Sequence, residues 1–123
     1  MESKAVLSLA RVSPRKARLV ADLVRGRDVG DAIEVLTFTR KKTASLIKTL
    51  IESAVANAEY KAKRANEDLD IDNLYIKTIF VDQGPTQRRF RPRARGMATP
   101  IQKKTAHITV VLDAVRGDAA GAA

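Results

Sequence analysis

Between Gly84 and Lys104 the chain reads GPTQRRFRPRARGMATPIQKK, a stretch with seven cations and no acidic residue. Three of the four prolines (Pro85, Pro92 and Pro100) fall inside it, and Phe90 is its one aromatic side chain. A strand pattern enters it, from Leu74 to Val81, and another leaves it, from Thr105 to Leu112. Two strands joined by a long segment read as a β-hairpin with an extended arm. Such an arm is too poor in apolar residues to bury a core, so the rest of the 123-residue chain must supply one. Its charge calls for a polyanionic partner.

The arm makes the domain count simple. Residues 1–116 are expected to form one globular domain that includes the arm at about 84–104, and residues 117–123 a disordered tail. The formal net charge of +9 favours nucleic acid or an anionic surface as partner. Without cysteine, disulfides and thiolate metal sites are excluded. No apolar run reaches the roughly 18 residues of a membrane span, and no signal-peptide core opens the chain. A cytoplasmic protein without a membrane partner is expected. Glu67, Asp68, Asp70 and Asp72 alternate in the manner of cation ligands, but the glycine and distal glutamate of an EF-hand are missing. They read as a solvated turn, with no metal and no cofactor.

Along the chain, Lys4 to Val12 suits a first strand, closed by the turn signal Ser13-Pro14. Ser13 is a good N-cap and Pro14 a good first helical residue. The helix that follows is expected to bury Leu19, Val20, Leu23 and Val24 and to stop at Gly26. Its other face carries Arg15, Lys16, Arg18 and Arg25, which a solvated surface would also explain. Arg11, Arg15 and Lys16 nevertheless crowd the helix N-terminus, where positive charge opposes the macrodipole and an arriving phosphate relieves the conflict. Asp28 to Asp31 caps a short second helix with Ile33, Val35 and Leu36 inward. Thr39 is expected to cap a long third helix, Arg40 to Arg64. Leu46, Ile47, Leu50, Ile51, Ala54, Val55 and Ala58 recur there at i, i+3, i+4, the clearest periodicity in the chain. On the later strands, Ile79 and Val81 fall on one face and Ile76, Thr78 and Phe80 on the other. Ala106, Ile108, Val110 and Leu112 oppose Thr105, His107, Thr109 and Val111.

Catalysis finds little support. His107 is the only histidine and lies in a strand, and no cysteine nucleophile, glycine-rich phosphate loop or metal-ligand spacing accompanies it. A nuclease using His107 with an acidic residue is the enzymatic rival. Five arginines against two lysines in the arm favour structured RNA, because guanidinium groups fork onto phosphate and stack on exposed bases. No recognition-helix or zinc-finger pattern supports sequence-specific DNA reading. A free RNA chaperone or regulator would use the same charge without a fixed address.

Five segments in order, Val12-Ser-Pro-Arg-Lys16 with Arg18-Leu-Val20, Glu52-Ser-Ala-Val-Ala-Asn-Ala-Glu59, Phe80-Val-Asp-Gln-Gly-Pro85, Pro92-Arg-Ala-Arg-Gly96 and His107-Ile-Thr-Val-Val111, resemble the family of bacterial large-subunit ribosomal protein twenty-two. The resemblance covers roughly Lys4 to Leu112. It implies an α+β fold: three helices packed on a small three-stranded antiparallel sheet, in the order β-α-α-α-β-β, with a long protruding basic hairpin. It also implies a structural, non-enzymatic constituent of the large subunit that binds 23S-type ribosomal RNA and supports assembly. The partners implied are that RNA, neighbouring ribosomal proteins at the tunnel exit, and the nascent polypeptide, with the protein a monomer within the ribosome. The RNA-binding set comprises Arg11, Ser13, Arg15, Lys16, Arg18, Asn57, Arg88, Arg89, Arg91, Arg93, Arg95, Lys103, Lys104 and His107. The tip lining the tunnel would be Arg89, Phe90, Arg91, Pro92, Arg93, Ala94, Arg95, Gly96 and Met97. Met97-Ala98 and Ala106 depart from the family pattern, as does Pro100, which is expected to interrupt strand pairing.

Overall fold

The computed structural model describes residues 2–66, 73–92, 96 and 98–114, with side chains for all of these except 87–92 and 98–102. The elements run β1 (Ser3–Ala10), α1 (Pro14–Val24), α2 (Val29–Phe38), α3 (Lys42–Arg64), β2 (Leu74–Gln83), β3 (Gln87–Pro92), β4 (Ala98–Lys103) and β5 (Ala106–Ala114). β5 lies between β1 and β2 in a three-stranded antiparallel sheet, and β3 pairs with β4 in a separate two-stranded ribbon. The α+β fold and its element order are those expected. The carboxylates at 67–72, the tip residues Arg93, Ala94, Arg95 and Met97, and the tail from 115 onward lie outside the described residues.

The stripe on α3 forms the middle of the core. Ile47, Leu50, Ile51, Ala54 and Ala58 are buried, with Leu46 and Val55 half-buried beside them. They face Ala106, Ile108, Val110 and Leu112 of β5, all fully buried. Burial of this many branched side chains is the main stabilising term, at about 25 cal/mol per Å² of apolar surface. On α2, Val29, Ala32 and Leu36 are the buried residues, and Ile33 and Val35 are half-buried.

Four sequence expectations are corrected. In α1 the buried face is Pro14, Ala17, Val20, Ala21 and Val24, whereas Leu19 and Leu23 are 55% and 42% exposed. Both faces have helical spacing, and the smaller residues won because Ala17 and Ala21, each 0% exposed, allow close approach of the helix. Thr39 closes α2 rather than opening α3: its N–H donates to Leu36 O and its hydroxyl to Val35 O, and Lys41 occupies the N-cap of α3. In β2 the register passes from Ile76↔Leu112 to Thr78↔Val111, which leaves Lys77 as a bulge. The extra residue puts Leu74 and Ile76 on the same buried face as Ile79 and Val81, instead of opposite them. Finally, β3 and β4 stay in register from Gln87↔Lys103 to Pro92↔Ala98, straight through Phe90↔Pro100. Each strand of a two-stranded ribbon is an edge, where a proline nitrogen can face away from its partner.

Donors from the helices and the turn after α1 reach both free edges of the main sheet. Along β2, Arg18 donates through Nε (3.2 Å) and Nη2 (3.1 Å) to Val81 O, and Arg25 Nη2 donates to Ile79 O at 2.9 Å. Just beyond α1, Gly26 N–H donates to Ile76 O and Ile76 N–H to Arg27 O. Along β1, Asn57 Nδ2 donates to Lys4 O and Lys61 Nζ to Glu2 O, both at 3.0 Å. Unpaired strand edges invite pairing with other chains, and donors from α1, the turn after it and α3 occupy several of these edge carbonyls.

Candidate nucleic-acid interface

Where β1 ends, its pairing with β5 shifts between Leu7 and Ala10, and Leu9 takes a positive φ of 58°. The chain then turns through Arg11 and Val12 into Ser13, the N-cap of α1. Ser13 makes no side-chain capping bond, Pro14 follows at the first helical position, and the first turn holds no acidic residue. The helix thus starts with backbone donors that its own side chains leave uncapped, at the positive end of its dipole. Arg15 and Lys16 extend from this turn into solvent.

The root of the hairpin stands opposite. Leu9, Arg11, Val12 and Ser13 on one side, and Pro85, Lys103, Lys104 and Thr105 on the other, line a cleft of about 580 Å³. Arg11, Lys103 and Lys104 are exposed, and none of them has a hydrogen-bond or ion-pair partner among the described residues. Three unpaired cations around an uncapped helix start suit a phosphate backbone, which supplies both counter-charge and hydrogen-bond acceptors. Long cationic side chains of this kind can grip phosphate without reading base identity. From this cleft the β3–β4 ribbon continues with Arg88, Arg89 and Arg91 on β3.

The expected RNA-binding residues therefore divide. Arg11, Ser13, Lys103 and Lys104 meet in the cleft, with Arg15 and Lys16 on the adjoining turn of α1. Arg18 and Asn57 point elsewhere, to the carbonyls of Val81 and Lys4 at opposite sheet edges. His107 is not among the cleft-lining residues; half-buried on β5, it accepts the Leu9 N–H at Nδ1 at 3.1 Å. Of the expected tip, Arg89, Phe90, Arg91 and Pro92 lie on β3 and Gly96 follows with φ 71°. Leu9, Pro85 and Thr105 also line the cleft, and sequence reasoning misses them. The Gly84-Pro85 pair at the end of a strand pattern is the one signal that points there, as a marker of changing backbone direction. Among the described residues no cluster of histidine and acidic side chains is placed to hold a metal ion, and no helix is long and apolar enough to cross a membrane.

Comparison with known proteins adds an independent line. The family model described as ribosomal protein L22p/L17e matches residues 5–113. The chain is 61% identical over 113 residues to the large ribosomal subunit protein uL22 of Bdellovibrio bacteriovorus, covering 92% of this chain and 98% of that one. It is 57% identical to the protein of the same name from Myxococcus xanthus, covering 91% and 96%. With the one from Geobacter metallireducens the identity is 54%, covering 91% and 97%.

Proposed function

The chain belongs to the L22p/L17e family of ribosomal proteins, and on that premise we propose that it grips large-subunit ribosomal RNA at the cleft and extends its hairpin between RNA segments. It is a structural constituent of the large ribosomal subunit and not an enzyme, and it works in the cytoplasm beside other ribosomal proteins. In this reading the body docks through Arg11, Arg15, Lys16, Lys103 and Lys104. The arginines of the arm then neutralise phosphates where RNA helices converge, which supports assembly. The hairpin tip, Arg89 to Met97, lines the path of the nascent polypeptide.

The observation that carries this proposal is the cleft, where cations from two distant stretches, without partners among the described residues, converge on an uncapped helix start. Its test is binding of the full chain to large-subunit ribosomal RNA fragments across a salt series, with and without residues 86–102. A protein making ~6–10 phosphate contacts loses about 10³–10⁵ in affinity between 50 and 200 mM salt. Deleting the arm should flatten that slope while fragment-selective binding by the body survives. Equally weak binding to every RNA, with or without the arm, would instead describe a free RNA chaperone.

A further inference from the structure

We propose that Gly84, Thr105 and His107 form a lock at the hairpin root that fixes the direction of the arm before RNA arrives. Gln83↔Ala106 is the last pair of the main sheet and Gln87↔Lys103 the first of the arm. Residues 84–86 on one side and 104–105 on the other lie between them, so the two connections differ in length and the chain must bend. Unconstrained, such a bend would let the arm sweep.

Three features hold it. Gly84 N–H donates to Thr105 O at 3.0 Å, and Thr105 Oγ1 donates back across the bend to Pro85 O at 2.6 Å. Gly84 itself is pressed against both neighbours: a Cβ there would stand 2.5 Å from Thr105 Oγ1 and 3.2 Å from His107 Nε2. The Thr105 hydroxyl sits on a short side chain in a buried residue, so it has little room to yield. The third feature is the imidazole, which spans from this point to the end of β1. While Nε2 lies over Gly84, Nδ1 accepts the Leu9 N–H, where the β1 register has broken. His107 therefore ties the hairpin root to the β1–α1 turn that forms the opposite wall of the cleft.

These are positioning residues, and only their consequence for affinity rests on the RNA-binding reading above. A pre-aimed arm has less freedom to lose on binding. The chain has no cysteine, so Ser53→Cys on α3 and Arg91→Cys on β3 can carry spin labels at those sites alone. In the free full-length protein the inter-label distance distribution should be single and narrow. Gly84→Ala and His107→Ala should each broaden or shift it. His107→Asn, whose Oδ1 can accept the Leu9 N–H near the Nδ1 position, should recover it in part, whereas His107→Gln, which reaches toward the Nε2 position and not toward Leu9, should not. A role in bulk packing alone would not separate asparagine from glutamine.

A broad distribution in the parent protein, or one unchanged by both Gly84→Ala and His107→Ala, overturns the lock. Should Gly84→Ala fail to fold, the His107 series decides alone. In unlabelled Gly84→Ala and His107→Ala proteins, which keep Arg91, RNA affinity should fall several-fold with the salt slope unchanged, because no cation has been removed. Absence of RNA binding by the parent would sink the functional reading, and the inter-label distances alone would then decide whether the lock exists.

Discussion

The basic residues at the sheet edges and those at the hairpin root are chemically alike and do different things. Arg18 and Arg25 commit their donors to Val81 O and Ile79 O, and Lys61 closes the carbonyl of Glu2. Arg11, Lys103 and Lys104 surround a cleft and meet no partner among the described residues. The first group substitutes for missing neighbour strands, and the second is the one the proposed function turns toward RNA phosphate. Net charge counts both groups together, and only their placement separates fold maintenance from recognition.

The sharpest way to break this distinction is to remove the second group. Replacing Arg11, Lys103 and Lys104 together with alanine should lower RNA affinity by roughly tenfold to a thousandfold near 100 mM salt, and reduce the salt slope by about 2–3. Thermal stability should stay within about 1 kcal/mol, since exposed charges without partners contribute little. A large loss of stability with an unchanged salt slope would move these residues into the first group.

Arg18→Ala should do the converse. It leaves the edge carbonyl of Val81 without its two-donor partner, and hydrogen bonds from charged groups contribute about 1.5–3 kcal/mol each when buried. Here solvent reaches the group, so a loss of roughly 1–2 kcal/mol in chemical denaturation is expected. The salt slope of RNA binding should not move. Asn57→Ala should act in the same way at the β1 edge, with a smaller loss of about 0.5–1.5 kcal/mol for a neutral donor. If Arg18→Ala instead reduced the salt slope by about one unit, or Asn57→Ala weakened RNA binding without moving the slope, that side chain would be a phosphate contact.

How much of this was legible follows the same division. The α3 stripe from Leu46 to Ala58 and the hairpin strands stand out in the sequence because their periodicities report one local geometry each. The cations of the cleft are also visible there, since Arg11, Arg15 and Lys16 crowd a helix start and Lys103-Lys104 close the arm. The roles of Arg18, Arg25 and Asn57 are not, because edge carbonyls exist only once strands are ordered in a sheet. Lys77 gives no sign of being a bulge, and without it Ile76 counts to the wrong face. Leu19 and Leu23 mislead for a related reason: hydropathy ranks them above Ala17 and Ala21, while close helix packing prefers the smaller pair. Gly84 is readable as a turn residue, but its contact with Thr105 and His107 depends on the register of β2 against β5.

Lys77 offers the smallest and most discriminating test, because it is a cation committed to the fold yet exposed to solvent. Its ammonium donates to the Glu2 carboxylate near the start of β1 and lies 3.9 Å from Asp113 at the end of β5, so it ties together the sheet end away from the hairpin. The hydrogen bond to Glu2, followed by that carboxylate's charge, raises the Lys77 pKa above its ordinary value of 10.5. A raised folded-state pKa stabilises the protein fully below the unfolded value, and the contribution is lost as pH climbs through the folded one. The parent should therefore exceed Lys77→Met slightly in melting temperature, by a margin constant from neutral pH to about 10 that shrinks above it. Added salt should narrow the same margin, as expected of an exposed pair. RNA affinity should be identical for the two proteins at every salt concentration. A difference there would extend the interface to the far end of the sheet and erase the separation between the two groups of cations.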